Sequence, residues 1–578
     1  MGSILSAGGA SALSGALYIS RFILPILAAW LLYRCARSML REHYEPELWA
    51  YLSFGNGRML PLRHWECIIG RSKSSDIEVP DPSVSRSHAV LIRGENGVWK
   101  LYDLRSKGGT RVNGKQISGR EAAVVSGGDT IELAKAKMRF VELSENERGS
   151  ITRFRSEPGR HIRPGFSLII LTFFQAVLAF QHSQSAKPEH ALYIAAAFAS
   201  LAIIMWCCYF IMRAFRRTGF EVETIAFFLS TLGLSVAASS VPGELFKQML
   251  LLTAGIVFFF LLGWWLRDLK RAKAMRWPVA IAALGALALN LVLSESVFGA
   301  KNWLSIAGFS IQPSEFVKIA YIYAGAATLD RLFMNRNIFL FIAFSAICVG
   351  ALALMGDFGT ALVFFATFLV ISFMRSGNLA TVFLAVSGAG LAGFLVLSVK
   401  PHIAQRFATW GHVWEYANEA GYQQTRALSA AASGGLFGLG AGNGWFSGIF
   451  AADTDLVFSV LCEELGLIIA VLAVLAIVIL AVFTVRNAAS GRSSFFVIAA
   501  CAAVSMMMVQ LALNVFGSLD ILPFTGVTFP FVSRGGSSLI SCWALLAFIK
   551  ASDTRQNASF VVKLPSHFGE AGEEAPSR

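Results

Sequence analysis

The chain has 578 residues, 55% of them hydrophobic and only 15% charged, with a mean hydropathy of +0.59. Soluble domains carry about 25% charge, so a water-soluble enzyme, a disordered chain and a secreted disulfide scaffold are excluded. Lys and Arg outnumber Asp and Glu by 49 to 36, a net charge of +13; in a membrane protein such an excess marks cytoplasmic loops, and no nucleic-acid partner is implied.

An apolar run at 12–33, followed by Arg34, Arg37 and Arg41, has no basic flank before it and no cleavage site, and reads as a membrane anchor within 1–40. Residues 41–148 differ in kind. Short β-like runs (WECIIGR, DIEVP, HAVLIRG, VWKLYDL, GTRVNG, DTIEL, MRFVEL) alternate with Gly, Asp and Ser, the pattern of a β-sandwich. A basic linker occupies 149–165. Apolar runs then recur near 166–184, 190–213, 221–240, 245–266, 277–296, 312–332, 337–355, 358–376, 380–399, 456–484, 494–516 and 530–551. The tail at 554–578 is polar. The fold class is therefore a polytopic α-helical membrane protein of about 13 spans, each able to cross a hydrocarbon core, with an all-β soluble domain. The eight cysteines show neither zinc nor disulfide spacing.

Basic segments at 213–217, 267–276, 330–337, 374–378 and 484–492 alternate with basic-poor loops. This alternation places the sandwich and the C-terminus in the cytoplasm and the 400–455 segment outside. Loops as long as 400–455 are usually functional.

Within the sandwich region, Gly70-Arg71-Ser72, Ser85-Arg86-Ser87-His88, Gly109-Thr110 and Val112-Asn113-Gly114 follow in order. An Arg, a hydroxyl and loop amides converging at one end of a sandwich make a phosphate site; His88 reads as a loop-pinning residue. These motifs, with Gly128-Asp129, resemble the forkhead-associated (FHA) family over about 100 residues. The resemblance implies binding of a phosphothreonine protein from a Ser/Thr kinase pathway through Arg71, Ser85, Arg86, Lys107, Thr110 and Asn113. One position departs: the Asn that in this family holds the ligand backbone is Gly108, and a sandwich that docks proteins without reading phosphate stays open.

Ionisable residues within spans are functional candidates by default. Glu315 and Lys318 share a helix face and can pair, either as a site or as a structural lock. Further polar islands lie at Gly356–Thr360, Ala452–Asp455, Cys462–Gly466 and Pro530–Ser538. Basic side chains can stabilise negative charge that develops in a reaction, and carboxylates can serve as a base or as metal ligands. Arg406, Lys318, Arg426 and Arg534 are candidate cations; Glu415, Glu419, Asp453 and Asp455 are candidate bases or metal ligands.

The stretches FGAKNW (298–303), QPSEF (312–316) with Lys318, DFGT (357–360), GYQ (421–423), TDLVF (454–458), EELG (463–466) and PFVSRGGSSL (530–539) resemble the SEDS family (FtsW, RodA, SpoVE) over a ten-span core, 215–553. Residues 166–214 add two helices before it. The resemblance implies a glycosyltransferase that polymerises lipid II, an undecaprenyl-linked precursor, on the outer face of the bacterial cytoplasmic membrane, with a class B penicillin-binding protein as partner, in division or elongation. On this reading Glu415, Glu419, Lys318, Arg406 and Asp455 are catalytic, and Gln312, Ser314, Glu315, Asp357, Arg426, Glu463, Ser533 and Arg534 hold substrate. No cofactor is fixed; a divalent cation, Mg or Mn, fits the chemistry. Two family positions are altered: Tyr416 stands where an essential Asp is usual, and Asp453 replaces a His. Two other readings remain: an inactive scaffold that recruits a penicillin-binding protein and phosphoproteins, and a flippase for the lipid-linked precursor.

Overall fold

The computed structural model describes residues 2–41, 48–144, 147, 164–294, 302–329, 335–390, 407–555 and 558–559, apart from 56, 74, 95–96, 118–120, 216, 218, 307–308, 377–378, 381, 389, 489 and 492. A first helix, α1 (Gly2–Arg41), leads to eleven short strands. They form two sheets, one of order β2 (Met59–Leu62), β1 (Ala50–Phe54), β11 (Ala136–Glu142), β10 (Thr130–Leu133), β7 (Thr110–Val112), β8 (Lys115–Gln116), the other of order β4 (Ile77–Glu78), β3 (Glu66–Gly70), β5 (Ala89–Arg93), β6 (Trp99–Asp103), β9 (Ala123–Val125). All ladders are antiparallel except β3 (Glu66–Gly70) on β4 (Ile77–Glu78). Alternate residues of each strand turn inward, as a half-buried strand requires: Leu52, Ile69, Leu91, Leu101, Ile131 and Phe140 are fully buried between the sheets. Trp99 meets Phe140 edge-on at 5.5 Å there.

The rest is a helical bundle. Among the described residues eight helices are long and apolar enough to cross a membrane, and three shorter apolar ones, Phe339–Leu354, Phe358–Met374 and Gly536–Ser552, accompany them. Proline opens several helices of the bundle, since its missing N–H is unpaired in a first turn anyway: α2 (Pro164–Ser185), α3 (Pro188–Ala214) and α8 (Pro313–Leu329). The predicted run at 380–399 falls largely outside the described residues. The run at 456–484, expected as one span, is two helices, α12 (Val457–Leu465) and α13 (Leu467–Ala488). They part at Gly466, whose φ of 90° is left-handed, so the helix cannot continue through it.

α4 (Glu221–Ser240) is the most enclosed of the eight long helices, buried along nearly its whole length. Beside it α15 (Gly536–Ser552) packs along α5 (Leu245–Leu266). Close approach rests on small residues, as between membrane helices generally: a Cβ on Gly255 would lie 3.2 Å from the Ile540 backbone.

Both α1 and α2 connect to the sandwich, so their sandwich-proximal ends, Arg41 and Pro164, mark one end of the bundle. The sandwich touches that end through its β2–β3 corner. His64 Nδ1 donates to the Gly491 carbonyl at 2.7 Å, Glu66 pairs with Lys273 at 3.4 Å and accepts from Ser494 Oγ, and Trp65 packs against the apolar core of the bundle.

Candidate functional site

At the opposite end of the bundle a cleft of about 620 Å³ opens between the start of α5, the hairpin β12–β13 (Leu304–Ile306, Phe309–Ile311), the first turn of α8 and the segment before α15. Val241, Leu251, Trp303, Phe316, Phe450 and Ile540 form an apolar wall, and Glu244, Lys247, Gln248, Ser310, Thr454, Arg534 and Ser537 its polar parts. Arg534 is fixed from two sides: its guanidinium meets Asp453 at 2.5 Å and Glu244 at 3.1 Å, and its amide donates to the Asp453 carbonyl at 2.8 Å. Ser533 lies buried beneath it, accepting from the Phe529 amide at 2.8 Å and donating to the Thr454 carbonyl. Ser533 thus braces the cleft without lining it, and Arg534, the Ser537 hydroxyl and the apolar wall, which do line it, can hold an anionic head with a hydrocarbon tail.

Gln312, Ser314, Glu315, Lys318 and Asp357 form a second polar group, inside the bundle. Lys318 Nζ meets Glu315 at 2.8 Å, and the other oxygen of Glu315 accepts from Ser541 at 2.7 Å. Ser314 is buried with them. Asp357 caps the following helix, α10 (Phe358–Ser376), by accepting from the Thr360 amide at 3.0 Å, and it also accepts from Gln312 at 3.3 Å. The Gln312 amide in turn donates to Ser537, on the cleft, at 3.4 Å. The pair thus supports the cleft floor, and Lys318 is not among the residues lining the cleft.

Glu463 accepts from the Trp445 and Phe446 amides at 3.1 and 3.0 Å, which fixes the loop after α11 (Tyr422–Gly434). Asp455 is half-buried on the turn before α12, its carbonyl taken by Asn514 at 2.9 Å. Arg426 stacks over Tyr422 at 5.0 Å. Glu415 and Glu419 are exposed on the turns preceding α11; α11 reaches the cleft wall where Gln423 donates to the Phe450 carbonyl at 2.9 Å. Arg406 lies outside the described residues. Among the described residues no group of three His, Cys, Asp or Glu could hold a metal ion. Glu244, Lys247 and Gln248 escape sequence reading, because an isolated GELFKQ between two spans has no motif to single it out.

In the sandwich the loops after β3, before β5 (Ala89–Arg93) and after β6 (Trp99–Asp103) are bonded into one surface. The Arg71 and Ser72 amides donate to the Ser85 and Arg86 carbonyls at 3.0 and 3.1 Å. Ser85 Oγ accepts from the Lys107 amide at 3.1 Å. Buried His88 accepts from the Ser85 amide at 3.0 Å and donates to the Gly109 carbonyl at 3.1 Å, the pinning role expected of it. Arg71, Arg86 and Lys107 are exposed around this surface. Thr110 and Asn113 are engaged elsewhere: buried Thr110 donates to Asp103 at 2.6 Å, and Asn113, in the left-handed turn position, donates to Asp129 at 2.9 Å and accepts from Thr130 at 2.9 Å. Burial raises the Asp103 pKa, but the Ser106 and Thr110 hydroxyls and the Ser106 amide outweigh it and hold the carboxyl below its ordinary range.

Residues 224–557 match the model of the FtsW/RodA/SpoVE cell cycle proteins, and residues 67–134 match the FHA domain. The chain is similar to the peptidoglycan glycosyltransferase RodA of Mycobacterium leprae, 32% identical over 319 residues that cover 52% of this chain and 68% of that protein. It is similar to stage V sporulation protein E of Bacillus subtilis, 32% identical over 308 residues, 51% of this chain and 82% of that protein. The crystal structure of Thermus thermophilus RodA is 25% identical, with a TM-score of 0.43, over 57% of this chain and 94% of that one. With more than half of its length matched by one family model, the chain belongs to the FtsW/RodA/SpoVE family and carries an FHA domain ahead of the family core.

Proposed function

We propose that this protein is a peptidoglycan glycosyltransferase that polymerises lipid II at the cleft, on the outer face of the membrane, while its cytoplasmic FHA domain binds a phosphothreonine protein and a class B penicillin-binding protein accompanies it in the membrane. One observation carries the reading: an apolar wall beside Lys247 and a doubly anchored Arg534 in a cleft of about 620 Å³. The apolar wall suits a polyprenyl chain. Lys247 and Arg534 oppose the charge that grows on a departing pyrophosphate, and the fixed placement of Arg534 lowers the barrier without reorganisation at the moment of reaction. The acceptor hydroxyl needs a base; Glu244 and Asp453 are the carboxylates beside Arg534, and Glu415 and Glu419 are the exposed alternatives. A Mg or Mn ion would have to complete its ligand set from substrate or from outside the described residues.

The test is glycan polymerisation from lipid II by the purified full-length protein, with and without its penicillin-binding partner. Arg534→Ala should reduce turnover about 100-fold or more, the size found when one preorganised donor to developing charge is removed; polymerisation that survives the change intact would sink the reading. Tyr416 favours a second reading, a scaffold without catalysis. Absence of polymer from wild type together with polymer from Tyr416→Asp would select it.

A further inference from the structure

The helices ahead of the family core do more than tether the FHA domain. α1 and α2 pack on each other, and the middle of α1 and the last turns of α2 reach the loop 435–446. Gln181, buried in the last turns of α2, donates to Ser20 of α1 at 2.6 Å and accepts from the Ala441 amide at 3.1 Å. Ser185 donates to the Ala441 carbonyl at 2.9 Å, so one residue of the loop is held at both of its backbone polar groups. Phe22 of α1 packs on Phe437 at 4.7 Å. The opposite flank of the loop is held by the family core, where Glu464 accepts from the Gly442 amide at 3.0 Å.

The loop is built from glycines. Gly438, Gly440 and Gly442 all have left-handed φ, and Ser185 Cβ would lie 3.0 Å from a Cβ on Gly442. Such a sequence does not hold a shape by itself; its conformation is imposed from the two flanks. Its continuation supplies the cleft with Phe450 and Thr454 and supplies Arg534 with Asp453.

We propose that Gln181 and Ser185 are positioning residues: the accessory helices clasp the 435–446 loop and so set the placement of Phe450, Asp453 and Thr454 at the cleft. The inference rests on the glycosyltransferase reading for its kinetic consequence only; the clasp itself is independent of the reaction. Because Asp453 orients Arg534, loosening the loop misaims the cation and acts on kcat more than on KM.

The experiment uses the full-length detergent-solubilised protein. Three quantities are measured: hydrogen exchange across 438–455, affinity for undecaprenyl pyrophosphate, and kcat and KM for lipid II. Gln181→Leu should speed exchange of the loop amides about tenfold, the scale expected when a buried donor loses its acceptor, and should lower kcat by a similar factor with KM little changed. Gln181→Glu keeps the acceptor and should restore protection. Ser185→Ala, a milder change, gives a smaller shift in the same direction and serves if Gln181→Leu does not fold. Gln175→Leu is the control: Gln175 is buried in the same helix but donates to Thr231 of α4, at 3.0 Å, not to the loop. Wild-type exchange and turnover in Gln181→Leu would overturn the proposal, as would equal effects from Gln175→Leu. If wild type makes no polymer, the glycosyltransferase reading fails, and the clasp is decided by exchange and pyrophosphate affinity alone.

Discussion

A Cβ added to Gly108 would lie 2.3 Å from the Cβ of Ala134, closer than carbon atoms pack. Ala134 itself sits at a φ of 54°, held there by the hydrogen bond that its N–H donates to the Gly109 carbonyl at 3.0 Å. The glycine at 108 and the alanine at 134 are therefore one coupled choice: the loop after β6 closes down on the β10–β11 turn, and the side chain usual at position 108 in FHA domains has no room. Gly108→Asn alone should weaken binding of a phosphothreonine peptide to the full-length protein, because the loop that positions Lys107 on Ser85 must move. Gly108→Asn with Ala134→Gly removes the collision and supplies an amide for the ligand backbone, and should bind about fivefold tighter than wild type, the value of one net hydrogen bond. Calorimetric titration of the three proteins decides it; tighter binding by Gly108→Asn alone would show that Ala134 does not govern the site. The effect belongs to a pair 26 positions apart in sequence, which is why the motif shows the departure at Gly108 and not its cause.

At the scale of elements, the sandwich meets the bundle at the end of β3 opposite its recognition loops. Glu66 opens β3 and Gly70 closes it, so about 13 Å of strand lies between the bundle contact and the loop that begins at Arg71. The corner is reinforced by aromatics: Trp65 and Trp49 meet edge-on at 5.9 Å, and Arg93 stacks over Trp49 at 4.2 Å. Removing Trp65 with Glu66 (Trp65→Ala, Glu66→Ala) deletes both the apolar plug and the charged contacts. Distances between spin labels at Val124 and Lys270, both exposed, should then spread from one narrow distribution into a broad one; an unchanged distribution would mean that other contacts dock the domain. Apolar runs and turn residues announce the helices and strands, since length and hydropathy report which segments leave water. They do not announce this docking, because Glu66 and Trp65 read as ordinary strand residues, nor the break at Gly466, because an apolar run looks alike on both sides of a bend. In the site, Arg534 and Ser533 are flagged by their motif, whereas Glu244 and Lys247 acquire meaning only when the start of α5 folds against the start of α15.

The whole molecule is held together at its sandwich end by charges buried inside the bundle. Lys550 of α15 meets Glu223 of α4 at 2.9 Å and donates to the Gly219 carbonyl at 2.8 Å. Arg555 pairs with Glu221 at 3.1 Å and with Asp553 at 2.7 Å, and Glu221 accepts from Ser38 of α1 at 2.8 Å. One network thus joins the first helix, the central helix and the last one. The same α4 and α15 deliver Ala237, Ser537 and Ile540 to the cleft at their other ends, so the network fixes the alignment of two of its walls. Desolvating an ion pair costs about as much as its attraction returns, but stranding one partner is costly. Lys550→Met should therefore destabilise the full-length protein by about 3–5 kcal/mol, leaving the Glu223 carboxylate buried without its cation. Lys550→Met with Glu223→Leu fills the same volume with apolar atoms and should recover most of that loss. Thermal unfolding in detergent distinguishes the cases. A double variant as unstable as the single one would mean that the pair is needed for its own attraction, whereas recovery of stability with reduced polymer turnover would assign the network to alignment of the cleft.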